Sequence, residues 1–271
     1  MHKIRGLMPA LGFGTFGRVG EDGIEAIRFA LECGYRHLDT AQSYENESEV
    51  GTAVRRSGLD RGEIFVTTKV GASHFGPGRL IPSLEASLHK LQLDTVDLTL
   101  IHWPSPNGEV PLAVYLEQLV EAKEKGLTRS IGVSNFTIAL LKKAETIVGK
   151  SHLLTNQVEL NPLFQNRKLA EYCDRSGISI TCYRPLAQGA LLDNKVLQAI
   201  AEKRDATASQ VALAWELAKG YAAIPTSSSR ERIASNLAAQ NVTLSAEDMT
   251  AIAGAGQISR VINPVWGPEW D

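Results

Sequence analysis

Residues 35–102 contain three short apolar runs that each close on a polar side chain: YRHLD (35–39) on Asp39, IFVTTK (64–69) on Lys69 and VDLTLIH (96–102) on His102. Amphipathic stretches at 47–57 and 79–91 separate them. Short apolar runs alternating with helical stretches read as parallel strands of β/α units. Polar residues at the carboxyl ends of such strands meet at one face of the sheet or barrel, where α/β enzymes place their chemistry. Tyr44 lies five residues beyond Asp39, in the loop that follows. A phenol, an ammonium, a carboxylate and an imidazole gathered there make a site able to donate a proton.

The pattern extends in both directions. Further strand-like runs lie near 8–14, 129–133, 153–158, 178–183 and 221–225, with helical stretches at 22–33, 111–125, 137–148, 166–176, 207–219 and 230–240. Eight β/α alternations with no Pro/Gly/Ser linker between them predict a (β/α)8 TIM barrel, with residues 1–271 forming one domain. Two segments are surplus to that count. Residues 194–203 read as an inserted helix, and residues 245–254 as a terminal helix capped by Ser245 with Asp248 three positions on. The tail VINPVWGPEWD (261–271) is too rich in Pro and Trp for a regular helix and is expected to lie as a loop over the active-site face.

Composition narrows the partners. A net charge of −2 gives no reason to expect nucleic acid or an anionic membrane surface. The three cysteines, Cys33, Cys173 and Cys182, fall in apolar contexts and read as thiols in a reducing compartment rather than metal ligands. There is no basic-apolar leader and no apolar run of membrane-spanning length, so a soluble cytoplasmic protein is expected. No exposed apolar stripe forces association, and a monomer is the default.

Gly12-Phe13-Gly14-Thr15-Phe16-Gly17 fits G-x-G-x-x-G, and Asp39 follows at a strand end. In a dinucleotide fingerprint the glycines open the helix that meets the pyrophosphate. Here residues 18–23 intervene before a helix can start. The stretch reads better as a glycine turn lining a pocket.

Gly34–Ala41 (GYRHLDTA) with Tyr44, Asn46-Glu47 and Val50-Gly51 resembles the signature of the aldo-keto reductases. So do Ile101-His102-Trp103-Pro104, Gly132-Val133-Ser134-Asn135-Phe136, Asn156-Gln157-Val158-Glu159 and Tyr183-Arg184-Pro185-Leu186, all in family order. The resemblance implies a barrel that binds NADPH across its carboxyl face without a doubly wound domain. It also implies reduction of small aldehydes and ketones, of the kind of methylglyoxal and 2,5-diketo-D-gluconate, by hydride transfer. Tyr44 would be the proton donor, Lys69 the ammonium that lowers its pKa, Asp39 the partner of Lys69, and His102 the donor that steers the carbonyl oxygen. Ser134, Asn135 and Gln157 match positions that hold the nicotinamide carboxamide, and Tyr183 matches the aromatic that stacks on the ring. Gly14, Thr15, Arg184, Pro185 and Leu186 are expected along the cofactor. Thr226, Ser227, Ser228, Ser229, Arg232 and Asn236 would form the adenosine phosphate site. Thr226 and Ser235 stand where the family commonly has lysine and glutamate, and Arg230 and Arg232 partly restore the charge. Arg184 replaces a usual serine. Phe16, Trp103 and Trp266 would wall the substrate pocket, with His102 reaching into it. Two other readings remain: an aldolase using Lys69 as a Schiff-base amine, and a non-catalytic NADP(H)-binding sensor.

Overall fold

The computed structural model describes residues 2–149 and 151–271. Two short strands, β1 (Lys3–Ile4) and β2 (Met8–Pro9), pair antiparallel. The β/α series follows: β3 (Phe13–Gly14), α1 (Gly20–Cys33), β4 (His37–Asp39), α2 (Glu47–Arg56), β5 (Phe65–Val70), α3 (Leu80–Leu91), β6 (Val96–Ile101), α4 (Leu112–Glu124), β7 (Thr128–Ser134), α5 (Ile138–Val148), β8 (Leu153–Glu159), α6 (Arg167–Ser176) and β9 (Ser179–Tyr183). After β9 come α7 (Lys195–Lys203), α8 (Ala208–Ala218), β10 (Ala222–Ala223), α9 (Arg230–Ala238) and α10 (Ala246–Ala253). The strands from β3 to β10 are parallel and lie in sequence order. Ala223 N donates to Ala10 O (2.8 Å), Gly12 N to Ala223 O (2.9 Å) and Gly14 N to Pro225 O (3.0 Å), which joins the first strand to the last and closes the barrel. The expected (β/α)8 fold is thus present, with α7 and α10 as the two additional helices.

One predicted strand divides. The run at 8–14 supplies β2 at its start and β3 at its end, because residues 3–9 turn back on themselves as a hairpin. That hairpin contributes Ile4 and Met8 to an apolar cluster with Leu98, Leu100, Leu154 and Ala222. The cluster fills the barrel's interior below the site. The remaining core lies between strands and helices, where Ile27, Leu31, Leu84, Leu116, Leu141 and Leu213 are buried.

Gly12 and Gly14 of the G-x-G-x-x-G stretch serve the barrel's closure. A Cβ at Gly12 would stand 2.6 Å from His37 Nδ1, and one at Gly14 would stand 2.8 Å from Ile224 O. The helix they precede begins only at Gly20. Two helix starts carry capping boxes: Thr207 with Gln210 on α8, and Ser245 with Asp248, as expected, on α10. Among the described residues no helix is long and apolar enough to cross a membrane.

Candidate active site

Strand alternation sends every second side chain into the barrel. The register aligns Asp39 with Thr67, Lys69 with Leu100, and Gln157 with Thr181. Asp39, Lys69, Gln157 and Tyr183 therefore share the inward parity at the carboxyl end, and His102 follows Leu100 with the same parity. The interior confirms this through its contacts. Lys69 Nζ is ion-paired with Asp39 Oδ1 and donates to Thr40 O (2.8 Å) and to Tyr44 OH (3.2 Å). Lys69 is 0% and Asp39 1% exposed, so neither charge could persist there without the other. A short 3-10 turn, Gln42–Tyr44, folds Tyr44 back over the pair, and Lys69 Nζ lies 4.8 Å from the centre of its ring. His102 meets the Tyr44 ring edge-on at 5.7 Å, and Phe16 does so from the other side at 5.1 Å.

The electrostatics depart from the sequence expectation at one point. Burial raises the Tyr44 pKa, and the opposing pull of Lys69 does not reverse it. The phenol therefore stays protonated more firmly than a free tyrosine, the reverse of the predicted lowering. Burial opposes the charge on Lys69, but Asp39 and Tyr44 together carry its pKa above the ordinary value. Burial and the Lys69 charge push His102 down to about 3, which leaves a neutral imidazole at any physiological pH.

A cavity of about 470 Å³ opens above these groups. Gly14, Thr15, Phe16, Trp103, Ser134, Asn135, Gln157, Tyr183, Arg184, Pro185, Leu186 and Thr226 all line it, together with Asp39, Tyr44 and His102. On one wall Tyr183 OH donates to Asn135 Oδ1 (2.8 Å), and Asn135 Nδ2 donates to His102 O (3.1 Å). Ser134 Oγ donates to Gln157 O (2.8 Å). Gln157 Nε2 donates to Asp39 Oδ2 (2.7 Å), an engagement with the buried carboxylate that the sequence reading does not anticipate. Arg184 Nη1 is buried without a hydrogen-bond partner. Thr15 is fastened to the same centre, its N and Oγ1 donating to Asp39 O at 2.9 and 3.0 Å.

Of the predicted phosphate residues Thr226 lines the cavity, and Ser227, Ser228, Ser229, Arg232 and Asn236 lie beyond it, at and before the first turns of α9. Ser229 caps that helix through Arg232 N, and Arg232 Nε donates to Ser227 Oγ (3.1 Å). Ser228 is exposed and Asn236 is buried at 5%. Arg230 turns toward α1, its guanidinium over the Phe29 ring at 4.6 Å and 3.9 Å from Glu25. Its charge is engaged there rather than beside Thr226. Trp266, expected in the pocket wall, is not among the residues that line the cavity; it packs edge-on to Trp103, which does, at 5.1 Å, and Trp270 meets the same indole at 6.1 Å. The tail that carries them is tied to the barrel by Glu159, whose carboxylate accepts from Val261 N (2.9 Å) and Ile262 N (2.8 Å). Ser43, Gln188 and Ile262 also line the cavity and escape the sequence reading. Ser43, beside Tyr44, had the strongest signal of the three.

The sequence pattern of the Aldo/keto reductase family matches residues 10–257. The chain is 49% identical over 265 residues to the methylglyoxal reductase DkgB of Escherichia coli O157:H7, an alignment covering 97% of this chain and 99% of that protein. It is 40% identical over 244 residues to 2,5-diketo-D-gluconic acid reductase B of Corynebacterium sp. (strain SHS752001), covering 90% of this chain and 87% of the other. Among solved structures, the aldose reductase of Schistosoma japonicum aligns with a TM-score of 0.89 at 31% identity, over 94% of this chain and 91% of that one. With a closed barrel carrying an Asp-Lys-Tyr-His centre at its carboxyl face and relatives matched over nearly their whole length, the chain belongs to the aldo/keto reductase family of oxidoreductases.

Proposed function

We propose that this protein reduces small aldehydes and ketones with NADPH. One observation carries the reading: the Tyr44 hydroxyl accepts from the buried Lys69 Nζ, which is paired with Asp39, and faces a cavity that it shares with His102. NADPH, when bound, supplies the hydride to the carbonyl carbon. The carbonyl oxygen needs a proton as negative charge develops on it. Tyr44 delivers that proton. Lys69 does not make the resting phenol acidic, yet its ammonium stabilises the phenolate left behind. Asp39 keeps Lys69 charged and aimed. His102 donates to the same oxygen and orients it.

The cavity suits the cofactor. Tyr183 offers a ring beside the amides of Asn135 and Gln157, a set matched to a carboxamide on an aromatic ring. The unpartnered guanidinium nitrogen of Arg184 fits a phosphate on the cavity wall. Ser227, Ser228, Ser229, Arg232 and Asn236 at the start of α9 would hold the adenosine phosphate, with Arg232 as its main cation. Methylglyoxal and 2,5-diketo-D-gluconate are the favoured substrates, on the strength of the relatives that carry those activities. Chemistry through a Lys69 Schiff base is disfavoured, because an amine must lose its proton to attack and Asp39 holds this one charged.

The deciding assay follows NADPH consumption with methylglyoxal, 2,5-diketo-D-gluconate and an aromatic aldehyde, with NADH in parallel. Turnover favouring NADPH is expected. Tight NADPH binding without turnover of any of the three would replace this reading with a sensor, and equal use of NADH would remove the phosphate role of Arg232.

A further inference from the structure

Ser43 lines the cavity, and neither the chemistry above nor the fold accounts for it. It sits in the middle of the Gln42–Tyr44 turn, exposed, with Oγ 3.3 Å from His102 Nδ1. The backbone of His102 is fixed independently: its N donates to Val70 O (3.0 Å) and its O accepts from Asn135 Nδ2 (3.1 Å). Tyr44 packs edge-on against the ring and limits its tilt. The proton's position on the ring is what these contacts leave open. A neutral imidazole carries one N–H, and the partner of one nitrogen decides the character of the other. With the proton on Nδ1, Nε2 would present a lone pair to the carbonyl oxygen and repel it. With the proton on Nε2, the ring donates to that oxygen, and Nδ1 needs a donor of its own. Among the described residues the only side chain hydrogen-bonded to Nδ1 is that of Ser43.

We propose that Ser43 is a positioning residue whose hydroxyl donates to His102 Nδ1 and so holds the imidazole in the tautomer that presents Nε2–H to the substrate's carbonyl oxygen. The inference rests on the role given to His102 above and adds what sets that role. It makes the turn after β4 a two-residue device, with Tyr44 supplying the proton and Ser43 preparing the second donor.

The test uses the holoenzyme with NADP+ bound and 15N-labelled histidine. Long-range 1H–15N correlation reads the tautomer of each of the six histidines, and His102→Gln assigns the signal of interest. His102 should be an Nε2–H tautomer in the unaltered protein. Ser43→Ala should mix the two tautomers and lower kcat about threefold to tenfold, the scale of one neutral hydrogen bond, with KM little changed. Ser43→Thr keeps the hydroxyl and should restore both readouts. An Nδ1–H tautomer in the unaltered protein, or a Ser43→Ala variant that keeps both the Nε2–H signal and full turnover, would overturn the proposal. Near-normal turnover of His102→Gln is a different failure: it removes the role of His102 itself and is seen without any Ser43 variant.

Discussion

Asp39 serves three neighbours at once. One carboxylate oxygen pairs with Lys69, the other accepts from Gln157 (2.7 Å), and its backbone carbonyl anchors Thr15. The proton donor is therefore the removable part of the centre, while the ion pair beneath it is structural as well as functional. Tyr44→Phe deletes a hydroxyl whose hydrogen bond in the centre comes from Lys69. It should lower carbonyl turnover about 10²–10⁴-fold, the ordinary worth of a general acid. NADPH affinity should stay within about twofold by fluorescence titration, and a variant that kept near-normal turnover would show that the proton comes from elsewhere. Asp39, Lys69 and His102 were legible in the sequence because each closes an apolar run, and strand parity fixes which way such residues face. The state of Tyr44 was not legible. Its pKa depends on how deeply the turn folds it over the barrel, and burial there outweighs the ammonium. Gln188 escaped for a similar reason: it sits at φ 55°, in a loop whose path no periodicity describes.

The elements with strong periodicity and good caps lie where their sequences put them, and the failures fall where tertiary contacts decide. The run at 8–14 looks like one strand until residues 3–4 pair with 8–9. The tail was readable as irregular, yet its tether was not, because the anchor lies 102 residues upstream in β8. Glu159 is 0% exposed, and its carboxylate takes both backbone N–H groups of Val261 and Ile262. Hydrogen bonds to a charged group are worth about 1.5–3 kcal/mol. Glu159→Gln replaces one acceptor oxygen with a donor that faces those N–H groups. Hydrogen exchange over residues 255–271 should quicken severalfold, with KM rising because Trp266 and Trp270 no longer brace Trp103. Unchanged exchange in that segment would mean that the indole contacts hold the tail by themselves.

At the scale of the whole molecule, Glu216 is one of the buried polar groups that work against stability. Glu216 on α8 is fully buried, neither carboxylate oxygen has a hydrogen-bond partner, and burial raises its pKa well above 4.5. The folded state thus holds a proton that the unfolded chain releases above about pH 4.5, so stability falls as pH rises from there toward the folded value. Glu216→Leu has similar volume and no buried polar atom. It should raise Tm by about 3 °C or more at pH 8, since about 1 kcal/mol moves a domain of this size by roughly 2–4 °C. The gain should shrink toward pH 5. A scanning calorimetry series showing the same gain at both pH values would mean that the carboxyl is ionised and solvated after all. The barrel as a whole was legible from eight alternations, but its closure was not, since the sequence does not state that Gly12 and Gly14 face the last strand. That closure has a further consequence. A complete ring of strands offers no free edge to another chain. Here the join is made by two two-residue strands, with Pro225 lacking a donor on one side. When it parts, two adhesive edges are bared in the same instant. A parted seam is thus the state of this barrel most open to pairing with a second chain.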